Sequence, residues 1–247
     1  MHRFFLTPEF FEGDAVSFPK DIAHQIRHVL RLDVGDRVAV LDNSGLIYTV
    51  VLELDRSEDT LSGRIEATHA VKTEPRTDLA LYFGLSSREK VEWILQKGTE
   101  IGVSAFHPFV SSRSLVKNTS LTGKKLKRWE RIIQEAAEQS GRGRLPVLNL
   151  PEDLVDCFQK AVSAYPLCLI AWESAPVGNN SLAESIKSFA GRSIALFVGP
   201  EGGFSEEEVI LAKNDGCQVV TLGARILRME TAAIVFPALV FHELGDL

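Results

Sequence analysis

Residues 193–208 read SIALFVGPEGGFSEEE, and this stretch decides the fold class. From Ile194 to Val198 the run is wholly apolar, too short for a helix and without the polar alternation of a strand that has one wet face. It suits a strand buried on both sides. The chain then turns through Gly199, Pro200, Glu201, Gly202 and Gly203 and enters a helix whose N-cap is Ser205, backed by Glu208 three residues on. A buried strand that feeds a loop and a helix is the repeating unit of a mainly parallel α/β sheet.

The same texture extends outward from residue 79. Strands are expected at Leu79–Leu85, Ala105–Phe109, Leu167–Trp172, Ser193–Val198 and Gln218–Leu222, with helices near Glu89–Ile101, Lys124–Gln139, Ser181–Phe189, Glu206–Asp215 and Thr231–Leu244. The first helix opens with Ser86-x-x-Glu89, read as a capping box, and puts Val91, Ile94, Leu95 and Ile101 on one face. Before the polar stretch KTEPRTD (72–78) the pattern differs. A strand at Arg3–Leu6 and one helix from Pro19 to Leu30, with Ile22, Ile26, Val29 and Leu30 on one side, precede a run rich in β-branched residues at 37–71. Turns at Asn43-Ser44-Gly45 and at the polar RSED (56–59) divide that run into an antiparallel meander. Residues 1–72 therefore read as a small β-barrel module and residues 73–247 as an α/β domain.

Composition narrows the function. With 27 Lys and Arg against 33 Asp and Glu, the net charge of −6 excludes a general polycation. The charge is segregated: residues 73–150 carry 13 basic and 8 acidic groups, whereas 1–72 carry 8 and 12, and 151–247 carry 6 and 13. A local anion-binding surface on the middle segment is compatible with that split. Cys157, Cys168 and Cys217 are odd in number and widely spaced, so neither a disulfide framework nor zinc is expected, and a reducing cytoplasm fits best. The opening MHRFFLTPEFFEGD reaches Pro8 and Glu9 before the apolar core of a leader can form. The apolar stretch Ala232–Phe241 is about half of what crosses a bilayer, so no membrane partner is expected.

Three elements could carry chemistry. In the 199–205 turn a phosphate would face Glu206, Glu207 and Glu208 in the helix's first turn, so the glycines read instead as backbone close to a neutral or zwitterionic ligand. P-loop and dinucleotide fingerprints do not occur. The second element is LGARILRMETA, where Arg225 and Arg228 follow a glycine turn at a strand's carboxyl end, the rim on which open sheets place ligands. The third is the helix GKKLKRWERIIQEAAEQSGRGR, with Leu126, Trp129, Ile133 and Ala136 as its buried stripe. Lys124, Arg128 and Arg131 form a basic stripe, extended by Arg142 and Arg144, that could engage a phosphodiester backbone. His24 and His28 stand one helical turn apart, but no third ligand joins them, so no metal site is expected.

Taken in order, RFF, HQIRHVLRLDVGD, KGTEIGV, EAAEQSGR, FVGPEGGFS and LGARILRMETA resemble the bacterial small-subunit (16S) ribosomal RNA uridine-N3 methyltransferases of the knotted SPOUT superfamily. The likeness runs nearly end to end. It implies a PUA-like β-barrel over residues 1–72 and a SPOUT methyltransferase domain over 73–247, whose C-terminal chain forms a deep trefoil knot. It implies S-adenosylmethionine as cofactor, held by Gly199, Pro200, Glu201 and Gly202, by Leu222 and Gly223, and by Ile226, Leu227, Arg228, Met229, Thr231 and Ala232, with Ala171–Glu173, including Trp172, as a third wall. A weakly anionic surround is expected to suit its sulfonium. Met229 stands where many relatives have threonine.

The reaction that the resemblance implies, methyl transfer to uridine N3, requires removal of the N3 proton. An arginine suits the anion by its charge and planar fork, so Arg228 is the first candidate, with Glu201, Glu230, a water or an RNA group as candidate base. RNA contacts are expected from Arg3, Arg27, Arg31, Lys124, Arg128, Arg131 and Arg142, and the resemblance implies a homodimer acting on 16S ribosomal RNA or the small ribosomal subunit. Two other readings stay open: an enzyme of the same superfamily acting on transfer RNA or a ribose hydroxyl, and an RNA-binding assembly factor that no longer transfers methyl groups. The GPEGG and ILRMETA elements speak against the last.

Overall fold

The computed structural model describes residues 1–54, 61–117, 119–175, 181–187 and 189–247. The polar turn expected at 56–59 lies outside them. The chain divides into two compact units, one of residues 1–74 with 137–145 and one of residues 75–136 with 146–247. Segment 137–145, which the sequence reading placed with the α/β part, thus groups with the first unit.

The first unit holds a sheet of β1 (Arg3–Phe5), β2 (Phe11–Glu12), β3 (Ala15–Phe18), β4 (Arg37–Leu41), β5 (Leu46–Leu54) and β6 (Leu61–Ala70), ordered β1-β4-β5-β6-β3-β2. Strands β4, β5 and β6 pair antiparallel in sequence order, the meander read from the β-branched run, while β1 joins β4 in parallel. The β2–β3 hairpin around Gly13 was not foreseen. Phe4, Val16, Phe18, Ile26, Val38, Val40, Val50 and Leu61 form the core. The helix expected over 19–30 is α1 (Lys20–His24) continued by a π-turn over Gln25–Val29. The Leu30 N–H reaches back to the Gln25 carbonyl, so the wider turn rotates the apolar stripe and leaves Val29 65% exposed rather than buried.

The second unit is a parallel sheet ordered β10-β8-β7-β12-β11-β13, with β9 also on β8. Its strands are β7 (Asp78–Gly84), β8 (Ala105–Val110), β9 (Val147–Leu148), β10 (Glu152–Asp153), β11 (Leu167–Ala171), β12 (Ser193–Val198) and β13 (Gln218–Val220). Helices α2 (Arg88–Ile101), α3 (Gly123–Ser140, of which 137–140 fall in the first unit), α4 (Leu154–Ala164), α5 (Leu182–Lys187), α6 (Glu206–Asp215) and α7 (Met229–Leu244) connect or follow them. Strand β12 shows why the 194–198 run is continuously apolar. Ile194, Leu196 and Val198 point to one core with residues of α2, α5 and α7, and Ala195 and Phe197 to another with α4 and α6. Each face is covered, as a parallel sheet requires.

The α6 capping box is present as read, but α2 starts differently. Ser87 is its N-cap and makes no side-chain cap bond, while the Ser86 hydroxyl donates to Glu201 instead. Helix α4, capped by the Asp153 side chain on the Val155 N–H, was missed. No helix among the described residues is long and apolar enough to cross a membrane.

Candidate active site

Parallel pairing of β12 with β11, and of β11 with β13, brings three carboxyl ends to one rim of the sheet. The segments leaving them, 171–173, 198–204, 221–223 and 225–229 with Ala232, wall a cavity of about 410 Å³ that Lys90 of α2 also lines. That volume suits a ligand of nucleoside size. Close packing holds the walls. A Cβ at Gly84, the last residue of β7, would lie 2.5 Å from the Pro200 nitrogen, so the 199–203 turn rests on a strand end that only glycine can offer. On the opposite wall Gly223 has φ +113°, a conformation that side-chain-bearing residues rarely take, and the Thr221 hydroxyl bonds both its N–H and its carbonyl.

The polar groups form a linked set. Lys90 Nζ lies 3.2 Å from Glu201 Oε1 and 3.7 Å from Glu230 Oε2, so one ammonium ties two carboxylates. The buried Ser86 hydroxyl donates to the same Glu201 oxygen. Burial pushes the Glu201 carboxyl up, but hydrogen bonds from Ser86 and from its own backbone, together with Lys90, outweigh it and hold the group below its ordinary value. Glu201 Oε2 and Glu230 Oε2, the latter the oxygen that faces Lys90 at ion-pair distance, are buried with no hydrogen-bond partner among the described residues. Arg225 and Arg228 line the cavity as exposed side chains, and no partner engages either guanidinium among the described residues. The charged lining is thus Lys90, Arg225 and Arg228 against Glu173 and Glu201, a mixed surround rather than the weakly anionic one expected.

An RNA methyltransferase domain model matches residues 73–240. The ribosomal RNA small subunit methyltransferase E of Bacillus subtilis is 34% identical over 242 residues, covering 95% of this chain and 93% of that protein. The chain belongs to the ribosomal RNA small subunit methyltransferase E family. The member from Synechocystis is 33% identical over 235 residues, covering 95% of this chain and 75% of the relative. Among solved structures, a ribosomal RNA small subunit methyltransferase E from Neisseria gonorrhoeae, bound to S-adenosyl methionine, superposes with a TM-score of 0.85 at 30% identity over 98% of this chain and 97% of that one. A Legionella pneumophila methyltransferase in complex with the bound cofactor SAM reaches 0.83 at 28% identity, covering 97% and 96%.

In this chain the cavity gathers Ala171, Trp172, Gly199, Pro200, Glu201, Gly202, Leu222, Gly223, Ile226, Leu227, Arg228, Met229 and Ala232, all singled out from sequence. Thr231 does not line it and is exposed, because it lies on the outer side of the first turn of α7, and Glu230 stands behind Lys90 rather than in the wall. Gly203, one of the glycines of the turn read as approaching a ligand, lines the cavity too, whereas Lys90, Val198, Phe204 and Thr221 were not foreseen.

The basic residues fare unevenly. In the second unit Lys124 is exposed, whereas Arg128 bonds both oxygens of Glu92 and Arg131 pairs with Glu135. The Arg128 guanidinium, helped by Arg88, holds the Glu92 carboxyl down to about 2. In the first unit Arg31 is exposed, at φ 55°, and Arg3 and Arg27 are half-buried. Arg142 does not extend an exposed patch, since it is 4% exposed and paired with Glu74.

Glu74 also accepts the N–H groups of Gly143 and Arg144, so it staples segment 141–144 within its unit. Glu74→Ala should destabilise the protein at pH 7 by about 2 kcal/mol, less than the ~3–5 of a fully buried pair because the Glu74 side chain is 21% exposed. Burial raises the Glu74 carboxyl, but Arg142 and the two N–H groups lower it further, so its folded value is depressed. That contribution is complete above the ordinary carboxylate range and is lost as pH falls through the depressed value. Urea denaturation should therefore show the difference between wild type and variant narrowing on acidification.

Proposed function

We propose that this chain transfers a methyl group from S-adenosylmethionine to N3 of a uridine in small-subunit ribosomal RNA. Family membership and the cofactor-bound Neisseria relative support methylation of this RNA class with this cofactor. The observation that carries the reading is the cavity formed where the three glycine-bearing or strand-end segments meet. The residues present fit the cofactor. Val198, Leu222, Leu227, Met229 and Trp172 offer apolar surface, the turns offer backbone groups, and the Glu201 oxygen without a partner offers charge for a cationic group. S-adenosylmethionine, when bound, supplies an electrophilic methyl on a sulfonium.

The chain's own contribution is electrostatic. Uridine N3–H is a neutral imide, so the site must lower the proton affinity of N3 and spread the charge onto O2 and O4. We assign that role to Arg228, whose planar fork is unengaged among the described residues. Glu201 is a poor proton acceptor, because its carboxyl is held low and one oxygen is committed to Ser86 and Lys90. In this reading Glu201 and Glu230 fix Lys90, and the proton leaves to water. The same reading takes residues 1–72 as a PUA-like barrel, the C-terminal chain as a trefoil knot and the working unit as a homodimer, all on the sequence resemblance.

The test is incorporation of labelled methyl into small ribosomal subunits from a strain lacking the modification, followed by digestion and mass spectrometry. Appearance of 3-methyluridine supports the reading, and a methyl on any other atom overturns it. RNA binding by the second unit rests on Lys124 and Lys127, which are exposed and unpaired among the described residues. Reversing both to Glu should lower the slope of log K against log salt by about 2, while S-adenosylmethionine affinity stays as in wild type. An unchanged slope would leave that helix face merely solvated.

A further inference from the structure

The segment that follows β8 is fastened to the 199–208 loop by bonds that no sequence pattern suggests. Arg113 Nη1 donates to the carbonyls of Gly202 and Phe204, each at 3.2 Å. Beside it, the Ser112 N–H and hydroxyl both donate to Glu208 Oε1, at 2.9 and 2.8 Å. The other Glu208 oxygen accepts the Ser205 N–H at 2.8 Å and closes the α6 capping box. One carboxylate therefore caps the helix and anchors the neighbouring segment. The two backbones also touch, since a Cβ at Gly202 would lie 3.0 Å from Arg113 Cβ and 3.2 Å from its carbonyl oxygen. Residues 111–114 are themselves braced: the Ser111 N–H donates to the Ser114 hydroxyl at 2.9 Å, and Lys117 Nζ donates to the carbonyls of Ser111 and Ser112.

Gly202 and Phe204 both line the cavity, and their N–H and C=O groups point according to how the turn is held. A turn of this composition has several backbone conformations of similar energy, and fixing two of its carbonyls selects one of them. We propose that Arg113 is a positioning residue, which sets the conformation of the 199–204 turn and thereby the affinity of the cavity for S-adenosylmethionine. This rests on the cofactor reading above. Arg113 does not line the cavity and acts through the turn. Its cost when lost should appear in binding more than in global stability, because it is exposed and no buried charge is left unpaired when it goes.

The experiment uses the full-length protein with Arg113→Ala and Arg113→Lys. Calorimetric titration with S-adenosylmethionine should give at least fivefold weaker binding for the alanine variant. The lysine variant, whose ammonium can still meet a carbonyl, should fall between it and wild type. Hydrogen exchange without ligand should accelerate in the alanine variant at amides within 199–205, while those of β12 and the body of α6 keep their protection. Unchanged affinity and exchange in a folded variant overturn the proposal. So does faster exchange across the whole α/β unit, which would mark Arg113 as a general stabiliser. If wild type itself does not bind S-adenosylmethionine, the cofactor reading fails, and the exchange arm still decides whether Arg113 orders the turn.

Discussion

Replacing Arg228 with alanine should slow single-turnover methylation by about 10²- to 10³-fold, the usual loss when one preorganised donor to a developing oxyanion is removed. The expectation rests on where the residue stands. Arg228 is the N-cap of α7, with φ −64° and ψ 152°, and its side chain lines the cavity with no partner among the described residues. Arg128, Arg131 and Arg142, by contrast, are each held by a carboxylate. An unengaged guanidinium on the rim of a cavity can meet a carbonyl edge of the base without first breaking an ion pair. Arg228→Lys keeps the charge but not the planar fork, so it should be intermediate in rate, with RNA and cofactor affinities little changed. The deficit of the alanine variant should shrink as pH rises toward the nucleobase's own ionisation, where N3 needs less help. A deficit constant across that range, at saturating substrate, would show that Arg228 positions the base rather than stabilising its anion.

How much of this was legible in the sequence depends on the distance between cause and effect. The bounds of β12 and α6 were readable to the residue, because an apolar run, a Gly-Pro turn and a Ser205/Glu208 cap are all local signals. Most of the cavity wall was reached through the resemblance, since its motifs lie on contiguous segments. What escaped was tertiary. Lys90 looks like any solvated helix residue until folding brings Glu201 to it across 111 positions. Ser86 read as a helix cap, yet its hydroxyl is drawn to the same glutamate. Arg142 read as part of a basic surface, because Glu74, which neutralises it, lies 68 residues earlier. The stripe on residues 19–30 was misjudged at Val29 because a π-turn changes the period that the pattern assumes. For Lys90, Ser86 and Arg142 the partner was distant in sequence and so invisible, and for Val29 it was the local helical period that differed.

The glycines sharpen the same point, and they yield the second large effect. From sequence, Gly199 and Gly223 were the positions where backbone would approach the ligand. Among the glycines in and under the cavity wall, the tightest packing within the protein falls at Gly84, which no motif marked: a Cβ there would lie 2.5 Å from Pro200 N and 2.7 Å from Pro200 Cα. Gly84→Val therefore forces a displacement, and the question is which side yields. Strand β7 is paired on both flanks, Phe83 with Val198 of β12 and Gly84 with Phe109 of β8, and is almost wholly buried. The turn has fewer bonds to lose, so it should move, taking Pro200 and Glu201 away from Ser86 and Lys90. We expect S-adenosylmethionine affinity to fall at least about a hundredfold, or roughly 2.7 kcal/mol, with a loss of stability of about 1–3 kcal/mol from overpacking. Gly223→Ala is the informative control. Its Cβ would meet nothing within 4 Å, so its cost is the positive φ alone, on the order of 1–2 kcal/mol. Calorimetry on both variants, after checking that each is folded, separates the two causes. If Gly84→Val binds as wild type does, the turn does not depend on its seat against β7, and the cavity wall must be held from the Arg113 side alone.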